Sequence, residues 1–249
     1  MGFWPVVMNV LRNSDVVLLL VDARMPEITR NSEIVDKVSN MKGKRLIIVF
    51  NKSDLIGRKD IEKLKKEYPN SFFVSSTKKI GIGKLKSSLE NMAENWNKPS
   101  LRIGLVGYPN IGKSTLINLL APAAKAKVSS VAGTTRKTQW VRNRKLRIMD
   151  SPGIIPYGDR KVQIGMTASK DPHKIRNPEK VAIRIIEFLM KRDVKLIQKY
   201  YGASGDSAYE IFEDIGHKMG YLVKGGEVDE NRVSIKVIDD WQKGRIKLK

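Results

Sequence analysis

A chain of 249 residues with 41% apolar side chains can bury a real core, as one large domain or as a medium domain with a small one. It has no cysteine, which excludes disulfides and thiolate metal sites. Its longest strongly apolar run is "VVLLLV" (Val16–Val21), too short to span a membrane. No signal peptide is visible, so a cytoplasmic protein with no membrane partner is expected. The formal net charge of +21 points to a polyanionic partner, because clustered Lys and Arg gain free energy by releasing counterions from phosphates. Solubility, or a lysine-rich proteome, would give the same composition.

In chain order, β-rich runs predict strands at Asp15–Asp22, Arg45–Phe50, Ser71–Ser75, Leu101–Gly107, Gln139–Asn143 and Lys145–Asp150. Helices are predicted at Ser32–Ser39, Arg58–Glu67, Lys84–Trp96 and Lys113–Leu120. Nearly continuous apolar strands between helices read as a parallel sheet covered on both faces. "QWVRNRKLRIMD" reads as a hairpin, which makes the sheet mixed. Residues 154–177 are polar and rich in Gly and Pro, and read as a mobile segment and linker. Asn177 then stands at a helix cap, with Pro178 at the first helical position and Glu179 at the positive end. "SAYE" (Ser207–Glu210) has the capping-box pattern. A last helix is predicted at Asp229–Gln242, with Val233, Val237, Ile238 and Trp241 on one face. The expected division is an α/β domain over 1–165, a switch and linker over 166–177, and a small all-helical domain over 178–249.

Five motifs carry chemistry. Gly107-x4-Gly112-Lys113-Ser114 fits the P-loop pattern, between a strand and a helix as that pattern requires. Its backbone N–H groups would surround the β-phosphate, Lys113 would reach the β- and γ-oxygens, and the Ser114 hydroxyl would bind Mg²⁺. Asn110, Ile111, Gly112 and Thr115 complete the expected nucleotide contacts of this loop. "DSPG" (Asp150–Gly153) ends a strand; Asp150 would hold the Mg²⁺ shell and the Gly153 N–H would meet the γ-phosphate. In "GTTR" (Gly133–Arg136) a Thr would complete that shell. In "NKSD" the Asp54 carboxylate can accept from guanine N1–H and from the exocyclic amine, a pair that adenine does not offer. Asn51 can bond the base and brace neighbouring loops, and the Lys52 stem can lie along the flat ring. "VSST" (Val74–Thr77) resembles a loop whose backbone N–H meets the guanine carbonyl, which makes Ser75, Ser76 and Thr77 candidates.

The order of these motifs is rotated. A guanine-nucleotide-binding domain usually runs P-loop, Thr switch, Asp-x-x-Gly, Asn-Lys-x-Asp, then Ser-Ala. Here the base-reading tetrad and the Ser-Ser loop come first. Cutting a closed cycle after Asp-x-x-Gly yields this sequence, and termini that lie close together tolerate such a cut.

With these motifs in this order, the chain resembles the YlqF/YawG family of circularly permuted GTPases. "VDARMPEITRN" (Val21–Asn31) is similar to that family's Asp-Ala-Arg-x-Pro segment, and "YLVKGGEVDENRVSIKVIDDWQKGRI" (Tyr221–Ile246) to its C-terminal Lys-Gly-Gly…Asp-Trp stretch. The resemblance implies a P-loop GTPase three-layer sandwich, GTP and GDP as ligands, Mg²⁺ as cofactor, and work on the large ribosomal subunit and its rRNA rather than on DNA. It implies Thr135, rather than Thr134, as the switch threonine, making Lys113, Thr135 and Gly153 the expected catalytic set.

Ile154 stands where other GTPases have a water-orienting glutamine, so slow intrinsic turnover is expected. Asn110 corresponds to a residue that helps hold K⁺ against the phosphates in related enzymes; stabilising the loop turn is the alternative role. In the helical domain Lys224, Arg232, Lys236, Lys243 and Arg245 are expected to meet rRNA phosphates, and the alternative is a solvated face. A nucleotide-gated RNA adaptor, or a GTPase of tRNA modification or small-subunit assembly, would carry the same motifs.

Overall fold

The computed structural model describes residues 4–122, 140–155, 161–167 and 170–249. Six strands form one sheet in the order β3-β2-β1-β4-β6-β5. They are β1 (Val16–Asp22), β2 (Arg45–Asn51), β3 (Phe72–Phe73), β4 (Leu101–Gly107), β5 (Trp140–Asn143) and β6 (Leu146–Asp150). All neighbours pair parallel except β5 and β6, the expected hairpin. β3 is shorter than its sequence run, and Gln139 lies outside the described residues.

Strands β1 and β4 are central in the sheet, and β1 is buried throughout. Because side chains alternate across a sheet, Val16, Leu18 and Leu20 join one core with α5 (Ile82–Asn95) and α6 (Lys113–Leu120). Val17, Leu19 and Val21 point to the opposite face and are equally buried. There α1 (Trp4–Asn13) and α3 (Ser32–Ser39) bury Val7, Val10, Leu11, Ile34 and Val38, and α2 (Pro26–Thr29) contacts β1 with Thr29 buried. Asn31 caps α3, its side chain accepting from Ile34 N at 3.1 Å. The register sets Asp22 beside Asn51, Leu20 beside Gly107 and Leu105 beside Asp150. The motif-bearing ends of β1, β2, β4 and β6 are thereby aligned at the carboxyl edge, where open α/β sheets bind ligands.

The chain divides into two compact units, Met1–Tyr157 and Gly158–Lys249. Described parts of the segment read as linker are structured. Helix α7 (Lys161–Met166) contacts α8 (Pro178–Asp193) and α11 (Glu230–Gln242), and a 3₁₀ turn covers Pro172–Lys174. The second unit also contains α9 (Lys195–Tyr201) and α10 (Ala208–Lys218). Val233, Val237, Ile238 and Trp241 are fully buried, as their spacing predicts. Ser207 caps α10 by accepting from Glu210 N at 3.2 Å, while Glu210 reaches back to Asp206 N rather than to Ser207 N. Asn177 precedes α8 but its side chain makes no capping bond, which corrects the expected cap. Among the described residues no helix is long and apolar enough to cross a membrane.

Candidate nucleotide site

The phosphate loop leaves β4 at Gly107 and enters α6 at Lys113. Gly112 sits at φ +105, and a Cβ there would stand 2.3 Å from Asn51 Nδ2, so this position requires glycine. Asn110 is also left-handed, at φ 54, a conformation Asn tolerates better than most residues. Lys113 is buried and donates to the carbonyls of Gly107 at 3.0 Å and Tyr108 at 2.7 Å. Burial pushes its ammonium down to about 8, against the opposing pull of Asp150.

Asp150 closes β6 beside this loop. The Ser114 hydroxyl donates to Asp150 Oδ2 at 3.0 Å. A hydroxyl and a carboxylate in contact at a helix start form the hard-oxygen pair that suits Mg²⁺, so these residues fit the ion. After Asp150 the chain crosses directly over the loop: Ile154 N donates to Gly107 O at 3.1 Å. A Cβ on Gly153 would lie 2.5 Å from Pro109 Cα, so only glycine lets the chain pass this close to the loop. Ile154 is buried. Thr134, Thr135 and Arg136 lie outside the described residues.

The loops at Asn51–Asp54 and Val74–Thr77 are tied to the Gly107–Ser114 loop. Asn51 Nδ2 donates to Ile111 O at 2.8 Å, and its Oδ1 accepts from both Ser76 N and Ser76 Oγ at 3.0 Å. Asn51 is therefore a brace between three loops. The Ser76 N–H is committed to it rather than left open to a base. Ser75 Oγ lies 3.2 Å from Thr77 Oγ1 and accepts from Lys78 N, so this loop is internally fixed. Asp54 sits in a 3₁₀ turn (Ser53–Leu55), and its Oδ1 is buried without a hydrogen-bond partner. A buried acceptor left unmatched costs about 1–3 kcal/mol, a cost that a ligand donor would remove.

Lys52 adopts φ 60 and its ammonium pairs with Asp22 Oδ2 at 2.9 Å. Asp22 also accepts from Arg24 Nε at 3.1 Å, from its Nη2 at 2.8 Å and from its backbone N at 3.0 Å. Burial alone would raise the Asp22 carboxyl, but Arg24 and Lys52 together hold it far below the usual carboxylate range. Sequence reasoning assigns Asp22 and Arg24 no role beyond a family signature. The available signal is an acid ending a wholly apolar strand, which must find a buried cation.

The residues expected to meet RNA fall into three settings. Lys224 is exposed on the Gly225–Gly226 turn, and the Arg232 guanidinium lies 4.2 Å from the Tyr221 ring centroid. Lys236, Lys243 and Arg245 converge instead on two acids: Lys236 pairs with Asp240, Lys243 with Asp239 at 2.7 Å, and Arg245 with Asp240 at 2.6 Å. Asp240 is fully buried and also accepts from Tyr201 OH at 3.0 Å. Trp241 Nε1 donates to Met166 O at 3.0 Å, and Gln242 Nε2 to Gly165 O at 2.8 Å. Much of the C-terminal signature is thus internal scaffolding that holds α7 in place.

Reading the strands from β4 restores the usual succession, with the phosphate loop first and the base loops last, so fold and motifs together define a circularly permuted P-loop GTPase domain. Residues 102–206 match the family model described as "50S ribosome-binding GTPase". The chain is 36% identical over 244 residues to an uncharacterized GTP-binding protein of Methanocaldococcus jannaschii, covering 97% of this chain and 65% of that protein. It is 31% identical over 255 residues to nucleolar GTP-binding protein 2 of Saccharomyces cerevisiae, covering 98% and 52%. The chain therefore spans between half and two thirds of these relatives' length. In fold it is similar to GDP-bound YlqF (TM-score 0.62, 23% identity, 97% and 95% coverage) and to GNP-bound YlqF from T. maritima (TM-score 0.62, 22% identity, 98% and 95% coverage). In motif order and in fold the chain is similar to the circularly permuted GTPases of the YlqF/YawG type.

Proposed function

We propose that this protein binds and hydrolyses GTP and acts in assembly of the large ribosomal subunit, with rRNA as its polyanionic partner and the cytoplasm as its location. The observation that carries the nucleotide reading is the buried, unmatched Asp54 Oδ1 in a loop that Asn51 ties to the phosphate loop. Guanine supplies the two donors such a carboxylate needs. Lys113 would exchange the carbonyls of Gly107 and Tyr108 for phosphate oxygens. Ser114 and Asp150, with Thr135 as the third residue, would hold Mg²⁺; when bound, that ion neutralises charge on the β- and γ-phosphates. The Gly153 N–H would meet the γ-phosphate. The large-subunit assignment draws on the description of the matched family model and on the nucleolar relatives.

Asp54→Asn tests the site. An amide presents one donor and one acceptor, so GTP affinity should fall about 100-fold or more. Xanthosine triphosphate, whose C2 carbonyl accepts where guanine donates, should bind better than GTP; unchanged GTP affinity would refute the assignment. Turnover should be slow because buried Ile154 offers no hydrogen bond to water. K⁺ should raise it through Asn110, so hydrolysis in KCl should exceed that in NaCl, and Asn110→Gly, which keeps the left-handed turn, should remove the difference. Sedimentation with the large-subunit particle supports the assembly role, whereas sedimentation with the small subunit or with tRNA-modifying enzymes would redirect it.

A further inference from the structure

Helix α9 and the C-terminal segment enclose a cleft of about 410 Å³, a volume within the range of small-ligand pockets. Leu196 and Ile246 supply apolar lining, and Tyr200 supplies an aromatic ring. Lys199, Arg245, Lys247 and Lys249 are the charged lining residues, and no acidic side chain is among them. The ring is held rather than loose: Tyr200 packs edge-on against Tyr201 with centroids 4.7 Å apart at 86°, and Tyr201 is anchored through its hydroxyl to buried Asp240. Tyr200 nevertheless remains 38% exposed. Arg245 is fixed by Asp239 and Asp240, whereas Lys199, Lys247 and Lys249 are exposed and pair with no carboxylate among the described residues.

A fixed aromatic ring surrounded by cations is the arrangement that binds single-stranded nucleic acid, the ring stacking a base and the cations tracking the backbone. A duplex offers phosphates but no free base face to stack. We propose that this cleft takes one unstacked nucleotide of single-stranded RNA, its base on Tyr200 and its flanking phosphates on Lys199, Lys247 and Lys249. The inference rests on the RNA-binding reading above and locates it at a position separate from the Gly225–Gly226 turn.

The test uses the full chain and two labelled probes, a short unstructured RNA and a duplex RNA of equal length, read by fluorescence anisotropy. Tyr200→Ala should weaken the single strand roughly 5- to 100-fold and leave the duplex unchanged. Tyr200→Phe should bind as the unsubstituted protein does, which separates stacking from loss of the hydroxyl. Joint Lys199→Gln and Lys247→Gln should lower the slope of log affinity against log salt by about 0.7 for each phosphate that is no longer neutralised. If the protein binds RNA and Tyr200→Ala binds the single strand equally well, the cleft is refuted while the RNA reading stands. If the protein binds neither probe, both fall. Binding of an acidic peptide that Tyr200→Ala abolishes, with RNA binding unaffected, would also overturn the proposal.

Discussion

Lys113 is held by the same geometry that a phosphate would exploit. Its ammonium rests on two loop carbonyls, with burial setting its pKa at about 8, below the ordinary lysine value of about 10.4. The unfolded chain therefore binds more protons than the folded one between these values. This group's destabilising contribution is fully present below about pH 8 and fades as pH rises toward 10.4. Phosphate oxygens favour the charged form, so nucleotide binding at about pH 8.5 should take up a fraction of a proton. Calorimetry in buffers of different ionisation enthalpy should detect that uptake, and its absence would refute this role for Lys113. The motifs alone single out Lys113, Ser114 and Asp150, and the fold sets Ser114 against Asp150. The motifs do not reveal that the Lys52 ammonium is fixed by Asp22, itself held by Arg24. That pairing joins two strand ends far apart in sequence, and only the register of β1 against β2 brings them together.

Among the elements, α3, α4 (Arg58–Glu67) and α6 begin and end at the residues predicted for them. Helices α1, α2, α7 and α9 are absent from the sequence-based prediction. α2 has four residues, too few for a periodicity. α7 contains Gly165, a weak helix former, and relies on Trp241 and Gln242 bonding its carbonyls from α11; tertiary contacts supply what its own sequence lacks. Helix α11 carries the matching prediction. Asp240→Asn keeps size but removes the charge facing Lys236 and Arg245. Both cations are partly exposed and can turn to water, so the expected loss is about 1–3 kcal/mol. Urea unfolding should show the second unit melting earlier, with nucleotide affinity of the first unit unchanged.

Over the whole molecule, charge is distributed unevenly. Met1–Tyr157 carries 28 Lys and Arg against 12 Asp and Glu, a net +16, whereas Gly158–Lys249 carries 19 against 14, a net +5. Long-range attraction to a polyanion is therefore a property of the GTPase unit more than of the helical one. On α4, Lys59, Lys63 and Lys66 are exposed at helical spacing along one face. Replacing all three with Gln should flatten the salt dependence of RNA affinity without touching the Tyr200 dependence, and an unchanged slope would show that this face meets no phosphate. The Asn51 brace has a consequence for how the molecule is made. Its acceptor at Ile111 lies 60 residues downstream, so a chain emerging from its amino end presents the Asn51–Asp54 turn first, with nothing yet to hold it. The brace forms only once β4 and the loop that follows it have been made, so the Asn51–Asp54 turn stays unfixed until most of the sheet has been synthesised.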